Sequence, residues 1–309
     1  MEILKTDIAV VGHFSIDSIK LPKWNTPFVT LGGAVTYVSM ISRKLGKTVS
    51  IISKIGMDFP KAYLWLLDKE GVDLSNIIKL KNEKTTSFQL EYDKKFEKRM
   101  LNLRYKTSSL EVNDLPSNFE AKVIHLAPIA DEISYQEIAK LRKNTKVLSL
   151  DPQGLLRNFS DNGIVRLKSN FDNEILNLID IFKSTSEEIK KLTNQSNLKL
   201  AIETIHNFGV KIIIITQGSK GSTLSLGGDK YSVPAYLSKC VVDPTGAGDC
   251  FMGGFLSEFI DQKDAFWCAC VGSAAASIII EKMGPISFGE REEIYQRAYA
   301  IYEKETNCL

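Results

Sequence analysis

Residues 122–150, KVIHLAPIADEISYQEIAKLRKNTKVLSL, contain two short apolar runs on either side of a longer amphipathic segment. The runs at 122–126 and 146–150 have the length and the residue types of buried strands, and residues 134–142 have the spacing of a helix. A helical crossover between two strands places both strands parallel in one sheet. This segment therefore predicts a parallel sheet with helices packed on its faces.

The same alternation extends over most of the chain. Strands are predicted at 7–11, 49–55, 122–126, 146–150, 179–182 and 211–216, and amphipathic helices at 34–45, 60–70, 134–142, 171–177, 186–192 and 198–208. No linker, low-complexity tract or internal repeat is visible in the sequence. We therefore expect a doubly wound α/β fold, with a mainly parallel sheet flanked by helices, in which residues 1–309 form a single domain.

The composition is that of an ordinary globular protein: 44% of the 309 residues are hydrophobic and 25% are charged. The net charge of +2 gives no basic footprint for nucleic acid or an anionic membrane, so we expect neither as a partner. We recognise no signal peptide and no apolar run long enough for a membrane helix. The cysteines lack the spacing of a zinc site or a disulfide framework, and they predict reduced thiols and a cytoplasmic location. They are Cys240, Cys250, Cys268, Cys270 and Cys308.

One region departs from the α/β alternation. Residues 85–105, TTSFQLEYDKKFEKRMLNLRY, alternate apolar and polar side chains, with one apolar face in 88–92 and another in 101–105. This pattern is typical of an antiparallel hairpin. We expect a small β lid, formed by about 13–30 and 85–106, that closes over a ligand and is either mobile or dimerised. The alternative is an edge hairpin without a role.

A glycine-rich turn lies near the C-terminus, in VVDPTGAGDCFMGGFL at 241–256. The sequence predicts that Gly246, Ala247 and Gly248 present backbone N–H groups at the start of a helix, where an anion is favoured. Asp249 falls in the first turn of that helix. It either caps the helix or, beside an anion-binding turn, accepts a hydroxyl proton during phosphoryl transfer.

Two motifs resemble the signatures of the PfkB, or ribokinase-like, carbohydrate kinases. DPTGAGD at 243–249, followed by FMGGF at 251–255, resembles the C-terminal signature, and LGGAVTYVSMISRKLG at 31–46 resembles the N-terminal one. The resemblance extends from about Ile8 to Gly284. It implies a ribokinase-like fold with a small lid, and an ATP-dependent kinase that acts on an alcohol group.

The resemblance also implies roles for residues in these motifs. Asp249 would be the catalytic base, and Gly32 and Gly33 would approach the substrate. Pro244 stands where the family usually has Thr or Ser, outside the anion hole. The anion hole itself would consist of Gly246, Ala247 and Gly248.

Four further residues are expected to bind the acceptor. Asp17 follows the first strand, where ligands of α/β sheets bind, although it could also be an ordinary loop acid. Tyr37 replaces the Asn of many sugar kinases. The segment DPQGLLRNF at 151–159 resembles the inositol-kinase-like branch, and it supplies Gln153 and Arg157, although Arg157 could simply pair with an acid.

The nucleotide side is predicted by resemblance to the family's ATP loop, adenine rim and metal motif. Glu188 would hold Mg²⁺ through water, which suits a cation that keeps its hydration. Two alternatives remain open here. Residues 185–188 also fit a helix cap, and residues 216–221 also fit a hairpin turn. The residues expected to contact the nucleotide are Lys183, Thr185, Thr216, Gly218, Gly221, Ser273 and Gly284.

These features predict a kinase that transfers the γ-phosphate of ATP to a hydroxyl of a small polyol, with myo-inositol or a sugar favoured. ATP and Mg²⁺ are the expected cofactors, a monovalent cation is left open, and the protein is expected as a monomer or as a homodimer through the lid. A nucleoside kinase of the same family is the alternative. A ligand-sensing protein without turnover is the alternative of another class. A dinucleotide oxidoreductase is disfavoured because no GxGxxG follows the first strand.

Overall fold

The structure is a computed structural model and describes residues 4–96 and 99–306. Within these ranges the main sheet has ten strands in the order β16-β15-β14-β13-β10-β9-β1-β4-β5, with β6 also paired to β4. Strands β14, β15 and β16 are antiparallel neighbours, and the other pairs are parallel. The strands are β1 (Leu4–Val11), β4 (Val49–Ile55), β5 (Val72–Asp73), β6 (Ile77–Lys79), β9 (Phe119–Leu126), β10 (Thr145–Leu150), β13 (Ile181–Thr185), β14 (Ile212–Thr216), β15 (Ser222–Leu226) and β16 (Asp229–Val233).

Helices cover both faces of this sheet, as predicted. Alternate residues of β1 enter different apolar clusters: Ile8 and Val10 pack in one, and Ala9 and Val11 in the other. None of the helices in the described ranges is long and apolar enough to span a membrane. The helices are α1 (Ala34–Lys44), α2 (Lys61–Lys69), α3 (Tyr135–Arg142), α4 (Ser186–Thr193), α5 (Leu198–His206), α6 (Ala247–Ile260), α7 (Ala265–Ile279) and α8 (Arg291–Thr306).

The helix predicted at 171–177 is wrong. Residues Asn173–Leu178 form a short 3₁₀-helix, which begins where the Asp172 side chain accepts a hydrogen bond from the Glu174 N–H. The Ile175 N–H donates to Asp172 O and the Ile179 N–H to Leu176 O, which are the three-residue spacings of a 3₁₀-helix, and β13 begins at Ile181. The strand predicted at 179–182 accordingly begins two residues later.

The two predicted lid segments pair with each other in a separate four-stranded sheet. Its order is β3-β2-β7-β8, and β2 and β7 are the parallel pair that joins the segments. Residues 97 and 98, within the predicted lid, lie outside the described residues. The strands are β2 (Ser15–Lys20), β3 (Phe28–Gly32), β7 (Ser87–Tyr92) and β8 (Arg99–Tyr105).

The prediction of two apolar faces in the hairpin is wrong. The register places Phe88 opposite Leu103 and Leu90 opposite Leu101, so these side chains share one face. A short hairpin of β11 (Arg157–Phe159) and β12 (Val165–Leu167) lies beside the outer strand β8. It brings the 151–159 segment next to the small sheet.

Candidate active site

The glycine-rich turn leads into helix α6, as predicted. Gly246 is the N-cap residue and has a left-handed backbone, with φ 79°. A Cβ on Gly246 would lie 2.3 Å from ring carbons of Tyr37, and one on Gly248 would lie 2.8 Å from Lys183 Nζ. The first N–H groups of a helix have no partner within the helix. The glycines therefore let these amides, the Tyr37 ring and the Lys183 ammonium lie close together at the helix end, although the Ala247 N–H also contacts Pro244 O at 3.3 Å.

Asp249 lies in the first turn of α6 and is partly buried. Its Oδ1 accepts a hydrogen bond of 3.1 Å from Gln153 Nε2. Burial raises the pKa of Asp249 to about 6, with Asp151 adding to the rise and Lys183 opposing it. A carboxylate with this pKa is ionised at neutral pH and still basic enough to accept a proton.

Lys183 and Asp151 form a buried ion pair beside Asp249. Lys183 lies in β13, and Asp151 directly follows the neighbouring strand β10; Lys183 Nζ is 2.5 Å from Asp151 Oδ2. Burial lowers the pKa of Lys183, but Asp151, Asp249 and Glu188 outweigh it and hold the pKa above its ordinary value. Lys183 is therefore a fixed positive charge at the glycine turn.

Asp17 lies in lid strand β2 and not in the loop directly after the first strand, which ends at Val11. Its Oδ1 is buried without a hydrogen-bond partner in the described structure. Burial raises the pKa of Asp17 to about 6, against the Ser15 hydrogen bond and the charges of Arg99 and Arg157. A Cβ on Gly32 would lie 2.0 Å from Asp17 Oδ2, so the diglycine turn lets the backbone pass close to this carboxylate.

Replacing Asp17 with Asn is expected to raise the KM for the acceptor about tenfold or more. A hydrogen bond to a charged group contributes about 1.5–3 kcal/mol, and the amide cannot accept on both of its polar atoms. Steady-state kinetics with saturating phosphoryl donor would measure the effect. The exposed Asp229→Asn variant on β16 is the control. An unchanged KM for the acceptor in Asp17→Asn would contradict the assignment.

The predicted nucleotide loop at 216–221 is also the turn between antiparallel β14 and β15. Gly221 has φ 86°, and a Cβ there would lie 2.2 Å from Val233 O. The backbone conformation and the lack of space therefore account for glycine at this position without a bound nucleotide. Gly218 has φ 60° and open space around it. Thr216 lies opposite Thr185 at the ends of two parallel strands. The hairpin alternative is therefore present in the fold, and a nucleotide role for the loop stays a prediction.

Ser273 and Gly284 make contacts that shape the neighbouring loops. The Ser273 hydroxyl donates to Pro234 O at 2.9 Å, and the Gly284 N–H donates to the buried Asp243 carboxylate at 3.1 Å. Asp243 also accepts from the Thr245 N–H at 3.0 Å. These bonds tie the loop at 284 to the glycine turn, while contact of either residue with adenine stays a prediction.

Glu188 and Thr185 form a capping box at the start of α4. Glu188 Oε2 accepts from the Thr185 N–H at 2.8 Å and from the Thr185 hydroxyl at 2.9 Å. No group of three or more acidic, His or Cys residues suited to a metal occurs in the described ranges. Mg²⁺ in kinases needs only one or two carboxylates besides waters and substrate phosphates. Since the capping bonds use one carboxylate oxygen, Glu188 still fits a water-mediated metal contact.

Sequence reasoning missed two lid residues of the site. Tyr92 is hydrogen-bonded through its hydroxyl to Thr245 Oγ1 at 2.8 Å, which ties β7 to the glycine turn. Arg99 lies opposite Tyr92 in the pairing of β7 with β8, and its positive charge favours the ionised forms of both Asp17 and Asp249 by lowering their pKa. The period-two pattern placed both residues in a hairpin, but no local signal showed that this hairpin faces residue 245.

Replacing Tyr92 with Phe is expected to raise the ratio of donor hydrolysis to acceptor phosphorylation about fivefold. Loss of one hydrogen bond, at about 1 kcal/mol, loosens the lid and admits water as a competing acceptor. Product analysis with and without acceptor would measure the ratio. The Tyr231→Phe variant, on the edge strand β16, should behave like the wild type. An unchanged ratio in Tyr92→Phe would remove the lid contact from this role.

The model of the pfkB family of carbohydrate kinases matches residues 5–292, and the chain belongs to this family. The kinases to which this chain is similar are phosphotransferases with an alcohol group as acceptor, and these comparisons place the chain in the same class.

Relatives of known function agree with this membership. The chain is 29% identical over 287 residues to the cytidine kinase of Thermococcus kodakarensis, covering 90% of this chain and 97% of that protein. It is 26% identical over 291 residues to the inositol 3-kinase of Arabidopsis thaliana, covering 91% and 76%. A solved pyrophosphate-dependent kinase in the ribokinase family, complexed with a pyrophosphate analog and myo-inositol, matches with TM-score 0.80 at 24% identity and covers 94% of this chain and 99% of that one. This match confirms the predicted ribokinase-like fold.

Proposed function

We propose that this protein transfers the γ-phosphate of ATP to a hydroxyl group of a small polyol, with myo-inositol or a sugar as the favoured acceptor. The observation that carries the proposal is the position of Asp249. Its carboxylate lies at the amide-rich start of α6, and Lys183 lies beside the same turn. In this arrangement the proposed base lies beside the backbone amides and the ammonium group that would stabilise negative charge on the phosphoryl group.

The chemistry follows from these positions. Asp249 takes the proton of the acceptor hydroxyl as the oxygen attacks the γ-phosphorus and the bond to the β-phosphate oxygen breaks. The amides of residues 246–248 and the Lys183 ammonium stabilise negative charge on the moving phosphoryl group. Glu188 would hold Mg²⁺ through water, and the bound cation would supply positive charge to neutralise the donor phosphates. The lid keeps water away from the phosphoryl group.

Two buried oxygens without partners support a polyhydroxy acceptor. Asp17 Oδ1 and the Tyr37 hydroxyl are buried in the described structure and make no hydrogen bond. Buried polar atoms normally have partners, so a bound ligand with several hydroxyl groups would satisfy both. Burial and the charge of Asp17 raise the pKa of Tyr37, so the two side chains lie near each other.

A nucleoside is the second candidate acceptor. The observation in its favour is the 29% identity to a cytidine kinase over 90% of this chain, which exceeds the 26% identity to an inositol 3-kinase. A ribose presents two neighbouring hydroxyls to Asp17 as readily as a cyclitol does. The acceptor test must therefore include both classes.

The deciding experiment combines a donor panel with an acceptor panel. ATP and pyrophosphate are each tested with myo-inositol, hexoses, ribose and cytidine, and phosphorylated product is measured by mass spectrometry. Pyrophosphate is included because one solved structure of this fold is a pyrophosphate-dependent kinase. We expect product with ATP and a polyol. Product only with cytidine would select the nucleoside, product only with pyrophosphate would replace the donor, and ligand binding without any product would select the sensing alternative.

We further propose that the lid sheet is either free in a monomer or buried between two copies of this chain. The outer surface of the sheet exposes Val29 and Met100, at 64% and 62% of their surface. Sedimentation with and without acceptor would show which state exists.

The free thiols of Cys240, Cys250 and Cys268 support the proposal that the enzyme works in the cytoplasm.

A further inference from the structure

A continuous hydrogen-bonded chain reaches Asp249 from the hairpin beside the lid. Arg157 Nη2 donates to Gln153 Oε1 at 2.9 Å, and Gln153 Nε2 donates to Asp249 Oδ1 at 3.1 Å. Asp249 and Gln153 are 96 residues apart in the chain. Sequence analysis predicted both Gln153 and Arg157 as acceptor-binding residues, but here their polar atoms are directed at each other and at Asp249.

Arg157 determines which way the Gln153 amide points. A guanidinium only donates hydrogen bonds, so the amide oxygen must face Arg157 and the amide nitrogen must face Asp249. The donated bond occupies Oδ1 of Asp249 and leaves Oδ2 available for a proton. It also favours the ionised carboxylate over the protonated acid.

Arg157 is itself held from two sides. Its Nη1 donates to Ile129 O at 2.6 Å, and its guanidinium carbon lies 5.5 Å from the ring centre of Phe88 on lid strand β7. The turn that contains Ile129 is fixed by the buried Glu132 carboxylate, which accepts from the backbone N–H groups of Ile129 and His13. The Arg157 end of the hydrogen-bonded chain is therefore anchored to a fixed turn and also touches the lid.

We propose that Gln153 and Arg157 are positioning residues that orient the Asp249 carboxylate and keep it ionised, and that they connect it to the lid through Phe88. This inference rests on the proposed role of Asp249 as the base. The residues differ from acceptor-binding groups because they act through Asp249. Phe88 lies opposite Asp17 in the register of β2 and β7, so the same lid strands serve the acceptor carboxylate and this chain.

Other ionisable groups face Asp249 as well, and the test must separate their effects from that of the Gln153 bond. Burial raises the pKa of Asp249 to about 6. Burial and Arg99 lower the pKa of Arg157 to about 10, which leaves it charged at neutral pH. The surrounding groups are Lys183 and Asp151 from the main sheet, Arg157 and Arg99 from the hairpin and the lid, Tyr37 from α1 and Cys250 from α6.

The test is the pH dependence of kcat/KM for Gln153→Met and Arg157→Met. The first variant removes the donated bond and no charge, whereas the second also removes a positive charge that lowers the pKa of Asp249. Loss of the donated bond should move the acid limb up by about one pH unit. Activity should then fall about tenfold at pH 5 and about twofold at pH 7, and the difference should vanish by pH 9. The control is Arg166→Met, because Arg166 lies on the same hairpin, is exposed and pairs with residue 158.

A second variant keeps the oxygen that accepts the Arg157 hydrogen bond and replaces only the amide nitrogen that donates to Asp249. Gln153→Glu retains an acceptor for Arg157, but it places a second carboxylate beside Asp249. Two adjacent carboxylates cannot both ionise easily, so the acid limb should move further up than in Gln153→Met. If the Met variants fail to fold by circular dichroism, this variant decides the question.

Two results would overturn the inference. One is an acid limb that stays in place in Gln153→Met and Gln153→Glu. The other is a loss of activity that is equal at all pH values and accompanied by a raised acceptor KM, which is what direct acceptor binding predicts. The Asp249→Asn variant, measured in parallel, separates the two proposals. If it is inactive while the acid limb does not move, only the positioning role fails. If it retains near-normal activity, the proposed base itself is wrong.

Discussion

Replacing Asp249 with Asn is expected to lower kcat by about 10²–10⁴-fold, because an amide cannot take the proton of the acceptor hydroxyl. The change keeps the shape of the side chain and an oxygen that can still accept from Gln153 Nε2. The fold and donor binding should therefore be preserved. Rapid-quench measurements of product and calorimetric measurement of donor affinity would separate catalysis from binding.

The pH dependence of the wild type offers a second measurement on Asp249. Because the pKa of Asp249 is raised to about 6, the carboxylate becomes protonated as the pH falls below that value. The protonated acid cannot act as a base, so kcat/KM should decline below about pH 6. The exposed Asp161→Asn variant is the matched control and should retain full activity. Near-normal turnover by Asp249→Asn would remove Asp249 from the mechanism.

Replacing Lys183 with Met is expected to lower the free energy of unfolding by about 3–5 kcal/mol. Breaking a buried ion pair from one side leaves the other charge buried without compensation. Asp151 exposes only 1% of its side chain, and Lys183 Nζ lies 2.5 Å from its carboxylate. Urea unfolding at neutral pH would measure the loss. Since the pKa of Lys183 lies above its ordinary value, its contribution is fully present at neutral pH and is lost only in strongly alkaline solution.

The double variant Lys183→Met, Asp151→Asn provides the control for this prediction. It removes both charges, so it should recover a large part of the stability that the single variant loses. It should still turn over slowly, because the ammonium is absent from the glycine turn. A single variant that loses less than about 1 kcal/mol would show that water already compensates the Asp151 charge.

The features that could be predicted from the sequence depend on interactions between residues that are close together in the chain. The Gly246 to Asp249 turn is local, because a glycine with positive φ is followed at once by a helix whose first amides are unpaired. The helix cap of Thr185 and Glu188 is local as well, since its partners are three residues apart. The strands of 122–126 and 146–150 follow from residue types that repeat over a few positions. Each of these features depends on neighbours within about one turn of helix or strand.

The long-range contacts of the site could not be predicted in this way. The predicted lid segment 13–30 included Asp17, but no local feature placed Asp17 opposite Phe88, because that pairing joins segments 71 residues apart. The contact of Tyr92 with Thr245 spans 153 residues. The prediction that Gln153 and Arg157 bind the acceptor rested on the resemblance of residues 151–159 to the inositol-kinase-like branch. Only the structure shows the bond of Arg157 to Gln153 and that of Gln153 to Asp249.

The amino-acid sequence alone therefore determined the class of fold, the helix-end turn and the acid beside it, because periodicity and backbone conformation are set by adjacent residues. Only the tertiary structure decided which groups surround that acid. Lys183, Gln153, Arg157 and Arg99 come from four different elements of the chain. Burial and the charge of Asp151 raise the pKa of Asp249, and the charges of Lys183, Arg157 and Arg99 oppose that rise. Electrostatics and hydrogen bonding depend on distance in space, and folding alone brings these residues close.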